Sequence, residues 1–549
     1  MYAGTDQLGW ESRGAQRSAR TRWQEEGAFL GNAHVFLREP GALRPVSLHC
    51  CDGSAAWRPG PGRRTRPPPA AADGIVFDRI ARLIAGVALL AVLTTRADPA
   101  SAEPRFRPSL SVGQEFSDNV DLDPEDEQSA FITRVTPGIS FRGHTSRFRG
   151  GFDGAISTRY TTEGDDEGFQ ANGALAADGD LRLVDDYLFL EGNASVSQEV
   201  LDNDQAQAEA NLDTVQVYRL SPVLRNRFRG FAESELRYIL GQLLVSDDDV
   251  ADTTLHVGQV ALASGSDFDR VRWLLDGRIS EAIRSGDSNV SRADVDLETE
   301  YGLARWFSVI AGGGYQSFDD GDPESEFDSP AYRGGFRWRP GRRTEVVFTY
   351  GKRDDRFGPA ASLRYRISQG SQFLASYAER LSTSQERLFE NVSQIGIDPE
   401  TGIFIDEPTE TRFDSRPDPF DIDDETKYIK AVRADLVLSR GAYSVGLRGY
   451  FGREEEVVTG DEEDVYRVDA ILSRRLGRRL SFDLSGGFER TEFETGREDD
   501  EYRIQPGLRY LLNPKATLFL DYRYRWQNSN DPTAEYTENR VGGGVRLAW

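Results

Sequence analysis

The side chains best suited to hydrolysis are histidines, and only His144 and His256 lie in the patterned part of the chain that begins near residue 106. A Ser, His and acid triad needs its three members within hydrogen-bond reach of one another. His144 lies in a predicted turn between strands. His256 lies in a predicted strand, near the strand end that is far from such turns. We therefore expect each histidine to lie on the outer surface or to line an internal space, and we expect a protein that is not an enzyme.

Carboxylates are the other groups that could carry chemistry, because the chain holds 91 Asp and Glu residues. Glycosidases use two carboxyl groups at a defined separation. With acids in so many segments, no particular pair stands out as an acid and a base. We therefore assign no catalytic carboxylate.

A cluster of acids early in this part is a weak candidate for a calcium site. Asp118, Asp121 and Asp123 place hard oxygen ligands close together, with Glu125 and Asp126 beside them. The segment lacks the glycine turn and ligand spacing of an EF-hand. We favour hydrated surface loops, bridged loosely by divalent ions to lipopolysaccharide, and predict no cofactor.

The charge balance excludes several classes of partner. Residues 1–102 contain 13 Arg, no Lys and 9 acidic residues, which leaves 53 basic and 82 acidic residues and a net charge of −29 after them. Such a surplus repels nucleic acid. Because both cysteines, Cys50 and Cys51, lie in the first part, the rest of the chain has neither disulfides nor thiolate metal sites.

From Phe106 onward the chain repeats segments that alternate apolar and polar side chains. In residues 518–526 the apolar set is Leu518, Leu520, Tyr522, Tyr524 and Trp526. Period two indicates β-strands. Soluble strands are usually about five or six residues long, whereas a tilted crossing of a bilayer needs about nine to eleven, and these segments have the greater length.

The breaks between these segments are of two alternating kinds. Short basic or glycine-bearing breaks lie at 143–146, 225–229, 340–343, 439–442, 474–479 and 513–515. Longer acidic breaks lie at 118–128, 163–167, 247–252, 319–328, 454–464 and 494–501. Short periplasmic turns and long outer loops are typical of outer-membrane barrels. We predict an all-β fold, a single transmembrane antiparallel β-barrel of about 22 strands, within the range 20–24.

The end of the chain carries a separate signal for this fold. Val545, Leu547 and Trp549 share one face of an alternating segment that stops on an aromatic residue. Outer-membrane barrels typically end in this way, and we expect the barrel assembly machinery to recognise this closing strand. A soluble protein that ends in an amphipathic strand is the alternative.

The first hundred residues differ from the rest. A basic flank with Arg79 and Arg82, an apolar run over 83–93 and small residues at 100–102 predict a signal peptide over 76–102. The apolar run is too short to span a bilayer, and no other run approaches the ~20 residues of a transmembrane helix. If the translation start was assigned too early, residues 1–75 are not part of the protein. The alternative is a disordered N-terminal extension that is translated. The barrel is expected over 103–549, in the outer membrane.

A family resemblance begins at 117–122 (SDNVDL) and continues through 131–139, 185–198 (DDYLFLEGNASVSQ) and 221–238 (SPVLRNRFRGFAESELRY). These segments resemble the outer-membrane β-barrel family associated with PEP-CTERM and exopolysaccharide systems, in the β-barrel porin group. The likeness fades after about residue 385. It implies a location and a possible exopolysaccharide partner or its export components, but no substrate and no catalytic residue.

Three functions are compatible with these observations. A channel or conduit for solutes or polysaccharide is first, because about 22 strands enclose an aqueous lumen. A gated importer is second. The stretch between Ala102 and the first strand is too short to form a plug domain. A structural or adhesive surface barrel without transport is the main alternative.

One break, from Ser384 to Thr426, is much longer than the others. Such loops are usually functional or disordered. Its apolar residues suit a hairpin with a surface to pack against; they are Leu388, Phe389, Val392, Ile395, Ile397, Ile403, Phe404 and Ile405. One hypothesis is that the loop folds inward, with Asp406, Glu407 and Glu410 favouring cations in a constricted pore. The other is an exposed flap on the cell surface.

Overall fold

The computed structural model of the chain describes residues 102–165, 167–200, 212–247, 250–391, 395–397, 404–406, 420 and 422–549. For 102–105, 391, 395–397 and 404–406 only the backbone is described. The predicted extension (1–75) and all but the last residue of the predicted signal peptide (76–102) lie outside these residues and stay predictions. Among the described residues, no helix is both long and apolar enough to cross a bilayer.

The described chain is almost entirely strand. The elements are β1 (Ala102–Ser117), β2 (Ala130–His144), β3 (Phe148–Thr161), β4 (Gly168–Val184), β5 (Leu188–Glu199), β6 (Asp213–Phe228), β7 (Ala232–Val245), β8 (Thr253–Ser264), β9 (Val271–Arg284), β10 (Val290–Ala304), β11 (Phe307–Asp319), β12 (Phe327–Gly341), β13 (Thr344–Arg353), β14 (Arg356–Ser368), β15 (Ser371–Thr383), α1 (Ser384–Asn391), β16 (Ile395–Ile397), β17 (Phe404–Asp406), β18 (Thr426–Arg440), β19 (Tyr443–Glu456), β20 (Glu462–Arg475), β21 (Leu480–Glu492), β22 (Glu498–Asn513), β23 (Ala516–Ser529), a 3₁₀ turn (Pro532–Ala534) and β24 (Tyr536–Ala548).

Twenty-two of these strands form one closed antiparallel barrel. The short strands β16 and β17 pair with each other in a separate two-stranded sheet. Sequential barrel strands pair with each other, β15 pairs with β18, and β1 pairs with β24 to close the ring. The barrel strands are 10 to 17 residues long. The predicted fold and the predicted number of strands are confirmed.

Connections differ at the two ends of the barrel, as predicted. One end, here called the turn end, has short connections such as 305–306 and 342–343. The other, here called the loop end, has the longer acidic connections, such as 118–129 and 320–326. One loop-end connection is tight: Asp354 and Asp355 both adopt positive φ, 48° and 56°, as a two-residue hairpin turn requires.

The two faces of the wall have the reverse of the distribution in a soluble protein. On β10, Arg292 and Asp294 face inward and are buried, whereas Leu297 and Leu303 face outward and are 45% and 60% exposed. Strand side chains alternate between faces, so each strand gives one polar inner row and one apolar outer row. An outer surface of this kind is suited to lipid.

Exposed aromatic side chains form two belts on the outer surface. Near the loop end are Tyr160, Tyr315, Tyr350 and Tyr502, and near the turn end are Trp306, Trp338, Tyr365, Tyr443 and Tyr510. Amphipathic rings at these two levels match the girdles that flank the apolar band of membrane barrels. The wall therefore has the dimensions and the surface of a bilayer-spanning barrel.

The closing pair of strands contains the C-terminal residues singled out in the sequence. Val545 pairs with Val112, Leu547 pairs with Leu110, and the backbone N–H of Trp549 donates to the Pro108 carbonyl at 3.1 Å. The three residues thus lie at the seam of the ring. Their recognition during assembly stays a prediction.

A narrow contact at this seam depends on glycine. The Phe519 ring lies over Gly544 on the inner face, and a Cβ on Gly544 would lie 2.6 Å from that ring and would collide with the Val112 carbonyl. Because the second contact is with backbone, it cannot be relieved by a rotamer change. Close approach of β1, β23 and β24 therefore requires a residue without a side chain here.

We expect Gly544→Val to weaken closure of the barrel, by about 1–3 kcal/mol or more, because the added methyl groups overpack the seam. Gly313→Val on β11 is the control, since nothing lies within 4 Å of a Cβ there. Heat-modifiable electrophoretic mobility and urea unfolding measure the effect. Equal stability of the two variants would show that the seam is not sterically limited.

Candidate functional site

The long connection between β15 and β18 returns into the barrel. We call residues 381–391, 420 and 422–428 the arm; they comprise α1, the described loop residues before β18, and the loop-end residues of β15 and β18 that hold them. Helix α1 contacts β6 and β7, which lie eight or more strands along the ring from β15. An element that joins such distant strands must cross the interior of the ring.

Phe389 shows which face of the wall the helix touches. A Cβ on Gly241 would lie 2.6 Å from the Phe389 ring, so the ring occupies the space above that glycine. The neighbouring Leu240 faces outward and is 41% exposed, which places Gly241 on the inner face. The Arg219 guanidinium also donates to the Phe389 carbonyl at 3.3 Å. The helix is therefore seated on the lumen side of β7.

The local sequence explains a helix at this position. The Thr383 hydroxyl accepts a hydrogen bond from the Glu386 backbone N–H at 3.3 Å, and Glu386 lies in the first turn. Thr383 followed three residues later by Glu386 is the pattern of a capping box. The capping pattern is present in the sequence, whereas the apolar residues that follow it indicate only a hairpin.

Apolar side chains fix the arm to the wall. The arm contributes five side chains to one buried cluster: Leu381, Leu388, Phe389, Ile422 and Tyr428. The other members lie on β6 to β11 and in the β7–β8 connection; they are Val215, Val217, Ile239, Leu243, Val250, Leu255, Val257, Ala282, Val290 and Phe318. Burial of this kind stabilises by roughly 25 cal/mol per Å² of apolar surface. The arm thus closes over an apolar patch in an otherwise polar lumen.

Arg292 is the centre of a buried charge network beneath the arm. Its guanidinium pairs with Asp354, lies 3.5 Å from Asp294 and 3.7 Å from Glu386, and donates to the Leu381 carbonyl at 3.1 Å. The Arg292 side chain is 3% exposed. One cation on β10 therefore holds carboxylates from the wall, a hairpin turn and α1.

The partners of Arg292 are themselves fixed. Asp354 also accepts from the Leu381 backbone N–H at 3.1 Å, and its own N–H donates to Gln316 at 2.9 Å. Gln316 in turn donates to Asp294 at 2.9 Å. A network in which the members satisfy one another is far less costly to bury than a single charge.

The base of the arm has a second set of ion pairs. Lys427 pairs with Asp423 and lies 2.7 Å from Glu454, which is also 3.6 Å from Arg387 of α1. Arg380 pairs with Glu390 at 2.5 Å. Burial would raise the pKa of Glu390, but the Arg380 charge holds it below its usual value.

A third set joins the arm to loop-end connections on the far wall. Asp424 accepts from the Ala251 backbone N–H at 3.0 Å, and its carbonyl accepts from Arg284. The Thr426 hydroxyl donates to Asp320. The arm is thereby tied to the loop ends of β8, β9 and β11 and lies across this end of the lumen.

Glu425 introduces a titrating group at the edge of the arm. Glu425 is exposed at this edge, but partial desolvation raises its pKa to about 7. The negative charges of Asp423 and Glu456 add to the rise, while Lys427 opposes it. A raised pKa means that folding favours the neutral form. Its contribution is therefore complete below about pH 4.5 and is lost as the pH rises through about 7.

The hairpin predicted within the loop is present. Ile395 pairs with Asp406 and Ile397 pairs with Phe404, and β16 lies beside β3 and β4. The side chain of Asp406 is not described, and Glu407 and Glu410 lie outside the described residues. The position of α1 agrees with the inward hypothesis and not with a flap, while the part played by these three acids stays a prediction.

The remaining inner wall is also lined by paired charges. Arg467 binds Glu489 through two contacts of 2.7 and 2.8 Å, and Arg503 lies 3.2 Å from the same carboxylate. Arg333 on β12 contacts Asp296 and Glu298 at 2.6 and 2.7 Å. The lumen is therefore a polar, charge-compensated surface along much of its circumference.

The three weak metal candidates have separate partners. Asp118 accepts from the Asn539 backbone N–H at 2.7 Å, and Asp121 accepts from the Asp165 N–H at 3.1 Å. Asp123 caps its own turn, and the backbone N–H groups of Asp126 and Glu125 lower its pKa. Within the described residues, no group of three or more suitable side chains could hold a metal ion.

The two histidines lie far from a shared site. His144 is exposed at the turn end of β2, whereas His256 Nδ1 lies 2.7 Å from the hydroxyl of Tyr238 on the outward face. The described contacts of His256 are with this outward-facing tyrosine.

Comparison with known proteins adds a match at the end of the chain. Residues 463–549 match the family model described as "Putative beta-barrel porin 2". This range covers β21 to β24 and nearly all of β20. The sequence of these closing strands is thus porin-like, and no curated protein matches the chain.

Several solved outer-membrane proteins resemble the chain weakly. A mutant ferric enterobactin receptor (PfeA) from Pseudomonas aeruginosa has 10% identity and a TM-score of 0.46, with 82% of each chain covered. The FrpB iron transporter from Neisseria meningitidis has 10% identity and a TM-score of 0.47, with 81% of each chain covered. The siderophore receptor PirA from Acinetobacter baumannii has 8% identity and a TM-score of 0.44, with 80% of each chain covered.

We expect Arg292→Gln to destabilise the folded protein by about 3–5 kcal/mol, because three buried carboxylates lose their cation. Arg453→Gln is the control, since Arg453 pairs with Asp464 and Glu462 at 2.6 and 2.7 Å in a partly exposed position and should cost under about 1 kcal/mol. Urea unfolding measures both. A smaller loss for Arg292→Gln than for the control would remove Arg292 from the centre of the network.

We expect the arm to detach more readily above about pH 7, when ionised Glu425 repels Asp423 and Glu456. Tryptic cleavage at Arg387 and Lys427 should accelerate between about pH 6 and pH 8, relative to cleavage in an exposed turn. Glu425→Gln should remove that dependence. An unchanged pH profile in this variant would assign the effect to another group.

Proposed function

We propose that the protein is an outer-membrane channel for hydrophilic solutes whose lumen is constricted at the loop end by the arm. The observation that carries the proposal is a segment of one wall seated on the inner face of the opposite wall, inside a closed 22-strand ring. The turn end would face the periplasm and the loop end the cell exterior.

The character of the wall supports transport of polar material. An outer surface of exposed Leu, Val and aromatic side chains suits lipid, and the inner surface is lined by Arg, Asp and Glu. Rings of about 16 or more strands leave an aqueous channel or a plugged lumen. A charged and solvated lumen favours hydrophilic solutes over apolar ones.

The presence of the arm favours a narrow route for solutes through the lumen over a wide pore. It is held by an apolar cluster and by ion pairs to several strands, so it would be ordered while those contacts persist. Segments that lie inside barrels set which solutes pass. The acids of 404–410 would then add a preference for cations, as the sequence suggests.

The finer part of the proposal concerns the solute. We propose a role in exopolysaccharide systems of the PEP-CTERM kind, supported by the resemblance of 117–122, 131–139, 185–198 and 221–238. The closing strand would be the contact for the barrel assembly machinery, and the acidic loops the contact for lipopolysaccharide. We expect neither catalysis nor a cofactor.

A structural or adhesive surface barrel is the second candidate. It is favoured by the extent of the contacts that hold the arm, since a permanently closed lumen would need such contacts. A sealed barrel passes no ions, so electrical conductance distinguishes the two candidates.

We expect purified wild-type protein in planar bilayers to show small, defined conductance steps. Deletion of 386–423 should give clearly larger steps with weaker cation preference, because it removes the arm and its acids from the lumen. The control is Arg453→Gln, which should behave as wild type. Absence of conductance in both wild type and a correctly folded deletion variant would favour the structural candidate.

A further inference from the structure

The turn end of the barrel carries a basic rim over half of its circumference. Exposed cations line six consecutive turns, from the β10–β11 turn to the β22–β23 turn; they are Arg305, Arg342, Arg343, Arg366, Arg440, Arg474, Arg475, Arg478, Arg479 and Lys515. No Asp or Glu lies in these six turn segments, which are 304–307, 340–344, 366–371, 440–443, 474–480 and 513–516. The local charge is therefore uncompensated by acids of the same turns.

The loop end has the opposite charge. Residues 118–129 and 319–328 each contain six acids and no base. The turn end thus carries cations along half of its rim, whereas its other turns include Asp185, Asp186, Asp267 and Asp269, and the connections at the loop end are acidic. Wall charges of one sign beside a low-dielectric medium focus the field into an opening and concentrate counter-ions there.

Alternation along the strands shows which cations face the lumen. Tyr365 faces outward and is 41% exposed, so Arg366 faces inward. Arg474 stacks on the outward Tyr443 ring at 4.7 Å, so Arg475 faces inward. Both inward side chains are exposed. The rim is therefore divided into a lumen-facing set and an outward set.

The outward set has a simple use in a membrane. Arg440 is paired in register with Tyr443, and Arg474 lies on the same ring, at the level of the aromatic belt. Cations at this level contact lipid headgroups. Headgroups cannot account for Arg366 and Arg475, which lie on the inner face, where Arg475 also donates to the Gly441 carbonyl at 3.2 Å.

We propose that the turn-end rim is the entry site of an anionic saccharide chain, bearing carboxylates or phosphates, that passes from the periplasm toward the loop end. This inference rests on the proposed channel function and names its substrate class. Guanidinium groups form paired hydrogen bonds with both kinds of anion. The acidic loop end repels an anion in either direction, so the chain would cross it together with its counter-cations.

A protein partner fits this surface less well. The six turns are mostly of two to four residues and offer little relief for docking. Arginines also lie one level inside the barrel, where Arg364 is next to Arg366 on the inner face of β14, opposite Glu345, and Arg509 lies 3.4 Å from Asp483. A ligand that enters the lumen meets both levels, whereas a protein on the rim meets one.

The test compares oligogalacturonate with a neutral malto-oligosaccharide of matched length. In planar bilayers, oligogalacturonate added at the turn end should block the current more often than the neutral sugar or than oligogalacturonate added at the loop end. The Arg366→Gln, Arg475→Gln double variant should lower the blocking frequency at least about threefold. Added salt should lower the blocking frequency of the wild type as well, because it screens the attraction between the rim and the anion. The Arg440→Gln, Arg474→Gln double variant is the matched control with the same loss of charge.

Binding of fluorescent oligogalacturonate to the solubilised barrel provides a readout that does not need conductance. Binding lost in the inward variant and kept in the outward variant supports the entry site. Conductance without any preference for the anionic sugar overturns this inference and leaves the channel intact. Binding without conductance supports the site but contradicts the channel, and equal loss in both variants assigns the rim to lipid and overturns the inference.

Discussion

The structure depends on one constraint, that backbone N–H and C=O groups in a lipid environment must find partners within the protein. A β-sheet meets it only by closing on itself. Here closure is made by β1 and β24, from Ser109 opposite Ala548 to Ser117 opposite Arg540. The glycine at 544 permits the close approach that this pairing needs. The alternation of faces, and hence a polar lumen, follows from the closed ring.

A ring of this size leaves an interior that its own wall cannot fill. The arm occupies part of it, and its contacts are of two chemical kinds because the lumen wall offers both. An apolar patch on β6 to β11 receives Phe389 and Leu388, while Arg292 receives carboxylates from three segments. Burying charge is costly unless partners satisfy it, so the network specifies where α1 lies as much as it stabilises it. The charges at the two rims add a direction to this otherwise closed arrangement.

Much of the fold could be predicted from particular residues. The apolar set that includes Leu518, Leu520 and Trp526 indicates an outward row, and these side chains are exposed on the wall. The hairpin of 395–406 was also indicated by its apolar residues. In both cases the information is local, because strand period and turn composition act over a few residues.

The candidate site could not be predicted in the same way. Glu386 meets Arg292, and Phe389 meets Gly241, across the interior of the ring. Periodicity tells which face a residue occupies, but not which strand lies opposite. The capping pattern of Thr383 and Glu386 could have indicated the helix, although not its seat on β7.

Cysteine cross-linking tests the central claim, the seating of the arm inside the lumen, most directly. Residues 103–549 contain no cysteine, so introduced pairs report without background once Cys50 and Cys51 are replaced by Ser. With Phe389→Cys in the arm, mild oxidation should form a disulfide to Gly241→Cys and not to Leu240→Cys, its outward neighbour on β7. Failure to form the first disulfide in a folded barrel, together with rapid modification of residue 389 by a membrane-impermeant thiol reagent, would contradict the account.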